Sequence, residues 1–164
     1  MIAQNSGSIV TLGSIAGMGA FPLRAYSPSK TAIMRLTQIL AVDMGRFGVH
    51  VNGVAPTYVL SSTIKSRIDV GLRDPNRIRK AGALEMFTLP EYTAEVINFL
   101  CSDAAAAITG TMIPVEVGLE AATTYKLYAG DLSWETVSWS VELPIALRTQ
   151  ALLVKHQRIQ DKIS

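Results

Sequence analysis

The sequence predicts an α/β fold with a parallel sheet, because short apolar segments alternate with longer helical ones along the chain. Three segments are brief, rich in β-branched residues and bounded by glycine or proline, as strands are: Ser8–Leu12, Val49–Val54 and Thr111–Val115. Their apolar runs are nearly continuous, which is typical of strands that are covered on both faces. Pro114, which lacks an N–H, predicts that the third strand lies near an edge of the sheet. A doubly wound sheet normally has more than these three strands, so we expect this chain to form only part of such a sheet.

Two long helices are predicted between these strands. Ala25–Phe47 carries apolar residues at helical spacing, and Pro28 lies in its first turn, where a missing N–H does no harm. Pro90–Leu100 is the second helix and also has an apolar face. The intervening segment Ser61–Leu89 is rich in Arg and Lys and predicts one or two short helices. Ser102-Asp103 is expected to cap the turn that follows the second helix.

The last part of the chain, residues 121–164, is predicted to be an atypical tail. Leu119–Ser140 shows no clear period, whereas residues 145–163 have the spacing of a basic amphipathic helix. Such a helix can bind a membrane surface or a partner helix. A solvated helix, or a tail that is not native to the domain, is the favoured interpretation.

Composition excludes several classes of protein. With 49% hydrophobic and 17% charged residues among 164, the chain is too apolar to stay disordered. Its 15 basic and 13 acidic residues leave a net charge of +2, which is too small to predict a nucleic-acid partner. No signal peptide and no apolar run of membrane length are recognised, so we expect a cytoplasmic protein without a membrane partner. The single cysteine, Cys101, excludes an intramolecular disulfide, and no metal site is predicted.

Three groups of residues could carry chemistry. Tyr26 and Lys30 are four residues apart on the first long helix, so they share a face and can interact. A phenol alone is a poor acid or base at neutral pH, but a neighbouring ammonium favours the phenolate. Ser14 follows the first strand at its carboxyl end, where open α/β sheets bind ligands. Asn52–Pro56 ends the second strand in the same way, and Thr57–Ser61 then offers backbone groups and hydroxyls. Taken singly, each group also fits an ordinary structural role.

The order and spacing of these groups together resemble the short-chain dehydrogenase/reductase family. Ser14 follows a strand, and Tyr26 and Lys30 come twelve and sixteen residues later. The pattern Asn-x-Val-x-Pro then starts at Asn52. On this resemblance, residues 1–120 are the catalytic, C-terminal half of a Rossmann-like doubly wound domain that lacks the N-terminal glycine-rich βαβ half. The similarity runs over residues 3–120 and includes Glu91–Leu100, Ser102–Ala105 and Ile108–Gly110.

The resemblance implies an oxidoreductase that interconverts a secondary alcohol or polyol and a ketone with NAD or NADP. Tyr26 would give or take the proton, Lys30 would favour the phenolate and hold the nicotinamide ribose, and Ser14 would bind the reacting oxygen. A homo-oligomer that assembles through the Ala25–Phe47 helix is also expected. The residues expected to contact the cofactor are Leu12, Gly13, Tyr26, Lys30, Pro56, Thr57, Tyr58, Val59 and Ser61.

Departures from the family pattern bear on the cofactor site. Thr57 stands where the family has a glycine, and Glu116–Gly118 replaces its Asp-Gly-Gly. Gly13, Gly17 and Gly19 precede Tyr26 and belong, on this resemblance, to the active-site loop. No other glycine-rich turn is recognised to receive a pyrophosphate, and the residue that selects NAD or NADP is missing. We therefore expect this chain alone to bind the cofactor weakly, to be weakly active or inactive, and to expose the edge of strand Ser8–Leu12. The alternative is a non-enzymatic remnant that serves as an oligomerisation or interaction module.

Overall fold

Three parallel strands and five α-helices make up residues 1–129, the part of the chain that the computed structural model describes. The predicted helix at residues 145–163 lies outside the described residues. A bilayer-spanning helix, which needs a long apolar stretch, does not occur among the helices of residues 1–129. Short 3-10 turns lie at Ile2–Gln4, Ile15–Gly17 and Asp103–Ala105. In chain order the main elements are β1 (Gly7–Leu12), α1 (Tyr26–Gly45), β2 (Val49–Pro56), α2 (Ser62–Asp69), α3 (Pro75–Ala81), α4 (Pro90–Leu100), β3 (Met112–Val115) and α5 (Leu119–Ala129).

The sheet has the order β1-β2-β3, and both neighbouring pairs run parallel. Ile9 pairs with Val51, and Val54 pairs with Ile113. The central strand β2 is almost entirely buried, whereas β1 and β3 are the two edges of the sheet within residues 1–129. The predicted parallel α/β arrangement is therefore confirmed, as is the edge position of the strand that contains Pro114.

Alternate residues of the strands point to opposite faces of the sheet, and a helix covers each face. On one face, Val51 and Ile9 pack with the apolar side of α1. On the other face, Val54 and Val10 pack with α4 through Leu100. A doubly wound sheet has helices on both faces, so the predicted partial Rossmann-like fold is confirmed for residues 1–129.

Hydroxyl groups tie the helices to the sheet. Thr37 of α1 is fully buried, and its Oγ1 donates to the Ile33 carbonyl oxygen over 2.8 Å. The same Oγ1 lies 2.7 Å from Thr11 Oγ1 of β1. On the opposite face, Ser8 Oγ of β1 donates to the Leu100 carbonyl oxygen over 2.9 Å. These bonds join α1 and α4 to β1 at defined positions along the strand.

The helices lie where the sequence predicts them. α4 has the predicted bounds, and α1 begins one residue later and ends two residues earlier than predicted. Ser61–Leu89 contains two short helices, α2 and α3. Ser61 Oγ caps α2 by accepting from the Ile64 N–H, while Asp74 caps α3 and Pro75 occupies its first position.

Two local features differ from the prediction. Ser102 lies at the N-cap of the turn Asp103–Ala105, but its Oγ donates to the Phe99 carbonyl oxygen over 2.7 Å and does not cap that turn. The helix α5 forms in a segment where the sequence shows no apolar period. It forms because its Ala, Leu, Glu and Lys residues favour a helix by intrinsic propensity. Before α5, Val117 adopts a φ of 54°, a left-handed conformation that costs a non-glycine residue about 1–2 kcal/mol.

Candidate active site

Ser14 lies two residues beyond β1, at the carboxyl edge of the sheet. Its backbone is extended, and it is the N-cap of the 3-10 turn Ile15–Gly17. The Oγ accepts a 3.2 Å hydrogen bond from the Ala16 N–H, and its own hydroxyl hydrogen can still be donated to another acceptor. Only 8% of the residue is exposed, so the turn holds a nearly buried hydroxyl at this edge.

The turn Ile15–Gly17 is fixed against the early part of α1. A Cβ on Gly17 would lie 2.8 Å from the Lys30 carbonyl carbon and 2.9 Å from the Thr31 nitrogen, so a larger residue does not fit without a shift. Thr31 Oγ1 also donates to the Gly17 carbonyl oxygen over 2.9 Å. These contacts set the position of Ser14 relative to the helix that carries Lys30.

Tyr26 and Lys30 lie on adjacent turns of α1 and share one face of the helix. The Lys30 Nζ is 5.5 Å from the centroid of the Tyr26 ring. It also donates to the Leu12 carbonyl oxygen at the end of β1 over 2.9 Å. An ammonium has three N–H donors, so two remain for other acceptors. The Tyr26 side chain is 46% exposed and is open to a ligand.

Thr57 is the first residue after β2, which ends at the buried Pro56. The Thr57 N–H donates to the Val115 carbonyl oxygen over 3.4 Å and so extends the pairing of β2 with β3. Within residues 1–129, the non-glycine residues with a positive φ are Asn5, Glu85 and Val117. Thr57 therefore adopts no conformation that requires glycine, and its departure from the family pattern causes no backbone strain here.

The remaining residues expected to contact a cofactor lie around the same edge of the sheet. Leu12 is the last residue of β1 and Gly13 follows it, and 55% of Leu12 is exposed. Val59 pairs with Thr88 through an isolated parallel bridge. The Ser61 side chain is engaged as the cap of α2, which is a structural role beside the phosphate contact that the resemblance implies.

A cavity of about 300 Å³ brings several of these residues together. Its polar side chains are Ser14, Tyr26, Thr57, Tyr58, Arg67 and Arg73. Phe21 and Leu23 add apolar surface to its lining. Two of the three predicted catalytic residues therefore line one cavity, and the third, Lys30, lies next to the Tyr26 ring. A half-open cavity lined by a hydroxyl, a phenol and cations can bind a small polar molecule.

Arg67 and Arg73 were not predicted as site residues. The available signal was the abundance of Arg and Lys in Ser61–Leu89. Sequence periodicity does not show which of these cations reaches the cavity, because α2 and α3 are short and their apolar pattern is weak.

Asn52 belongs to the predicted motif but does not line the cavity. It is fully buried, its Nδ2 donates to the Ile108 carbonyl oxygen over 2.8 Å, and its Oδ1 accepts from the Thr111 N–H over 3.2 Å. Asn52 thus holds β2 to the loop that precedes β3. Its contribution to the site is indirect, through the position of the carboxyl ends of these strands.

Comparisons with known proteins agree with this architecture. A family model described as enoyl-(acyl carrier protein) reductase matches residues 1–120. Cyclohexanol dehydrogenase of Rhodococcus sp. (strain TK6) is 40% identical over 128 residues, which are 73% of this chain and 44% of that protein. An oxidoreductase of the short-chain dehydrogenase/reductase family from Burkholderia thailandensis has a TM-score of 0.71 at 34% identity, over 78% of this chain and 51% of that one. ElxO with NADP bound has a TM-score of 0.71 at 28% identity, over 74% and 49% of the two chains.

The sheet, the helices on both its faces and these matches place the chain in a Rossmann-like class of oxidoreductases. The chain belongs to the short-chain dehydrogenase/reductase family. It spans about half the length of the curated relatives that it matches.

Proposed function

We propose that this chain supplies the proton-transfer half of an oxidoreductase that interconverts a secondary alcohol or polyol and a ketone. The observation that carries the proposal is the position of Ser14 and Tyr26 on one cavity, with the Lys30 Nζ 5.5 Å from the Tyr26 ring. In the direction of ketone reduction, the Tyr26 hydroxyl gives its proton to the oxygen of the substrate. In the direction of alcohol oxidation, the phenolate takes that proton back.

Ser14 and Lys30 assist this proton transfer. The Ser14 hydroxyl donates a hydrogen bond to the reacting oxygen, while its Oγ remains oriented by the Ala16 N–H. The ammonium of Lys30 places a positive charge beside the Tyr26 ring. Its hydrogen bond to the Leu12 carbonyl oxygen holds that charge at the end of β1, close to the ring.

The proposed cofactor is NAD or NADP, which supplies or accepts the hydride when bound. The donor set fits its nicotinamide ribose, because a phenol and an ammonium with two further N–H groups lie beside the exposed end of β1. Leu12, Gly13 and residues 56–61 lie around the same edge and would line the nicotinamide. The glycine-rich segment Gly13–Gly19 follows β1 but contains the turn Ile15–Gly17 that holds Ser14, and α1 begins only at Tyr26. Within residues 1–129, no other glycine-rich turn follows a strand and opens a helix that would receive the pyrophosphate.

The test is a Tyr26→Phe variant of the full chain, assayed with NAD⁺ or NADP⁺ against secondary alcohols and polyols, and with NADH or NADPH against ketones. General acid–base groups contribute about 10²- to 10⁴-fold, so the variant should lose at least about 100-fold in kcat/KM. Tyr92→Phe is the matched control, since Tyr92 lies on α4 and does not line the cavity. Equal turnover by wild type and Tyr26→Phe would contradict the role of this phenol.

A second function, as an oligomerisation module, is favoured by the outer face of α1. Leu36, Ile39 and Val42 lie on the side away from the buried Thr37 and Ala41, and Val42 is 81% exposed. Apolar side chains spaced three residues apart form a continuous stripe on one side of a helix. We propose that this stripe packs against the same stripe of a second copy, with or without catalysis. Absence of turnover in both wild type and Tyr26→Phe would favour this function alone.

A further inference from the structure

Two arginines, Arg67 and Arg73, line the cavity beside Ser14 and Tyr26. Arg67 lies in the last turn of α2, and Arg73 lies in the loop that follows. The Leu72 and Arg73 N–H groups both donate to the Arg67 carbonyl oxygen, over 2.8 and 3.1 Å. Gly71, with a φ of 73°, lies in the turn between the two arginines. The backbone therefore ties the two arginines together at the cavity.

No acidic side chain neutralises these cations within residues 1–129. The ion pair found there joins Lys126 to Glu85, and no acidic residue lines the cavity. Arg73 lies over the Tyr58 ring, with 5.8 Å from its guanidinium carbon to the ring centroid. That contact places the Arg73 cation beside an aromatic ring, and neither arginine forms an ion pair with a carboxylate within residues 1–129.

The segment that contains both arginines also carries an excess of positive charge. Ser61–Leu89 contains six basic and three acidic residues, a net charge of +3, whereas the whole chain carries +2. The excess positive charge of the chain is therefore located in the segment that forms this side of the cavity. A site of this kind raises the local concentration of anions.

We infer that the substrate of this site carries an anionic group, a carboxylate or a phosphate, on the alcohol or ketone that reacts at Tyr26. This inference rests on the proposed function. The arginines bind the anion through charge-assisted, forked hydrogen bonds, and Ser14 and Tyr26 bind the reacting oxygen in the same cavity. A volume of about 300 Å³ fits a small hydroxy acid or sugar derivative. Neutral polyols lack the group that the two cations recognise.

Calorimetric titration of the full chain with gluconate and with glucitol tests this inference. These probes differ at one terminal carbon, which carries a carboxylate in gluconate and a hydroxymethyl group in glucitol. Loss of the anionic interaction should weaken binding about tenfold or more, and added salt should reduce the difference. Glucitol 6-phosphate, titrated in parallel, distinguishes a phosphate from a carboxylate as the preferred anion.

Arg67→Gln and Arg73→Gln should each reduce the preference for the anionic probe. Arg77→Gln, an exposed cation of α3 that does not line the cavity, should leave it unchanged. Equal affinity for the anionic and neutral probes, or no binding of either anion, would overturn the inference. So would arginine variants that weaken NADH binding and leave anion binding intact.

Tyr26→Phe separates this inference from the proposed function, because the variant keeps both arginines. It should retain anion binding, since Tyr26 contacts the reacting oxygen and not the anion. Anion binding together with turnover that does not depend on Tyr26 would contradict the proposed function alone. Turnover that depends on Tyr26 but prefers glucitol over gluconate would contradict this inference alone.

Discussion

Gly17→Ala should displace the serine turn, which is Ser14 with the 3-10 turn Ile15–Gly17, from the helix that carries Tyr26 and Lys30. The added Cβ would lie 2.8 Å from the Lys30 carbonyl carbon and 2.9 Å from the Thr31 nitrogen. Ordinary contacts of this kind are about 3.5–4.0 Å, so one of the two backbone segments must move by about 1 Å. Both neighbouring atoms belong to the backbone of a helix, which cannot rotate out of the way as a flexible side chain can.

The expected cost of Gly17→Ala is about 1–3 kcal/mol of unfolding free energy, as for other overpacked sites. A displacement of about 1 Å at the site should also lower any Tyr26-dependent turnover by about 100-fold. Urea unfolding followed by circular dichroism measures the first effect, and the turnover assay described for Tyr26→Phe measures the second.

Gly45→Ala is the matched control for this prediction. Gly45 is the last residue of α1, and a Cβ there would meet nothing within 4 Å. The same substitution should therefore be neutral or stabilise the chain by up to about 1 kcal/mol, because alanine favours the helix. If Gly17→Ala unfolds at the same urea concentration as wild type, the close packing of the serine turn on α1 is refuted.

Two further substitutions test other parts of the structure. Asn52→Ala should cost about 2–4 kcal/mol in a urea titration, because the part-buried Thr111 N–H loses its acceptor and the Ile108 carbonyl oxygen loses one of its donors. A change below about 0.5 kcal/mol would contradict that role. Val42→Glu should shift any oligomer toward monomer in light scattering, whereas Val70→Glu, at another exposed valine at the C-terminal end of α2, should not. An unchanged mass for Val42→Glu would exclude the outer face of α1 as the interface.

Much of the fold could be predicted from sequence, because each element has its own local signal. The strands are short apolar runs bounded by Gly or Pro. The helix α4 begins at Pro90 and has an apolar face up to its last residue, Leu100. These signals give the order of elements and, with the parallel topology, the edge at which Ser14 and Thr57 meet. The helix α5 was missed because its signal is propensity without an apolar period.

The predicted site was harder to complete, because its contacts depend on distances between elements. The spacing of Tyr26 and Lys30 fixes their common helix face, but nothing in the chain order shows that Arg67 and Arg73 reach the same cavity. Asn52 shows the reverse case, in which a polar residue of a recognisable motif does not face the cavity. Its side chain is buried and binds backbone groups. Local patterns predict which elements carry chemistry better than which side chains face a ligand.

The hydrogen bond from Lys30 to the Leu12 carbonyl oxygen joins the candidate site to the outermost strand of the sheet. Within residues 1–129, β1 is paired on one side, through β2, so its outer edge can accept another strand. Pairing at that edge would restrain the end of β1, and with it the carbonyl group that positions the ammonium. The mobility of the β1 edge and the position of the Lys30 ammonium are therefore coupled. A contact that restrains β1 also restrains the ammonium next to the Tyr26 ring.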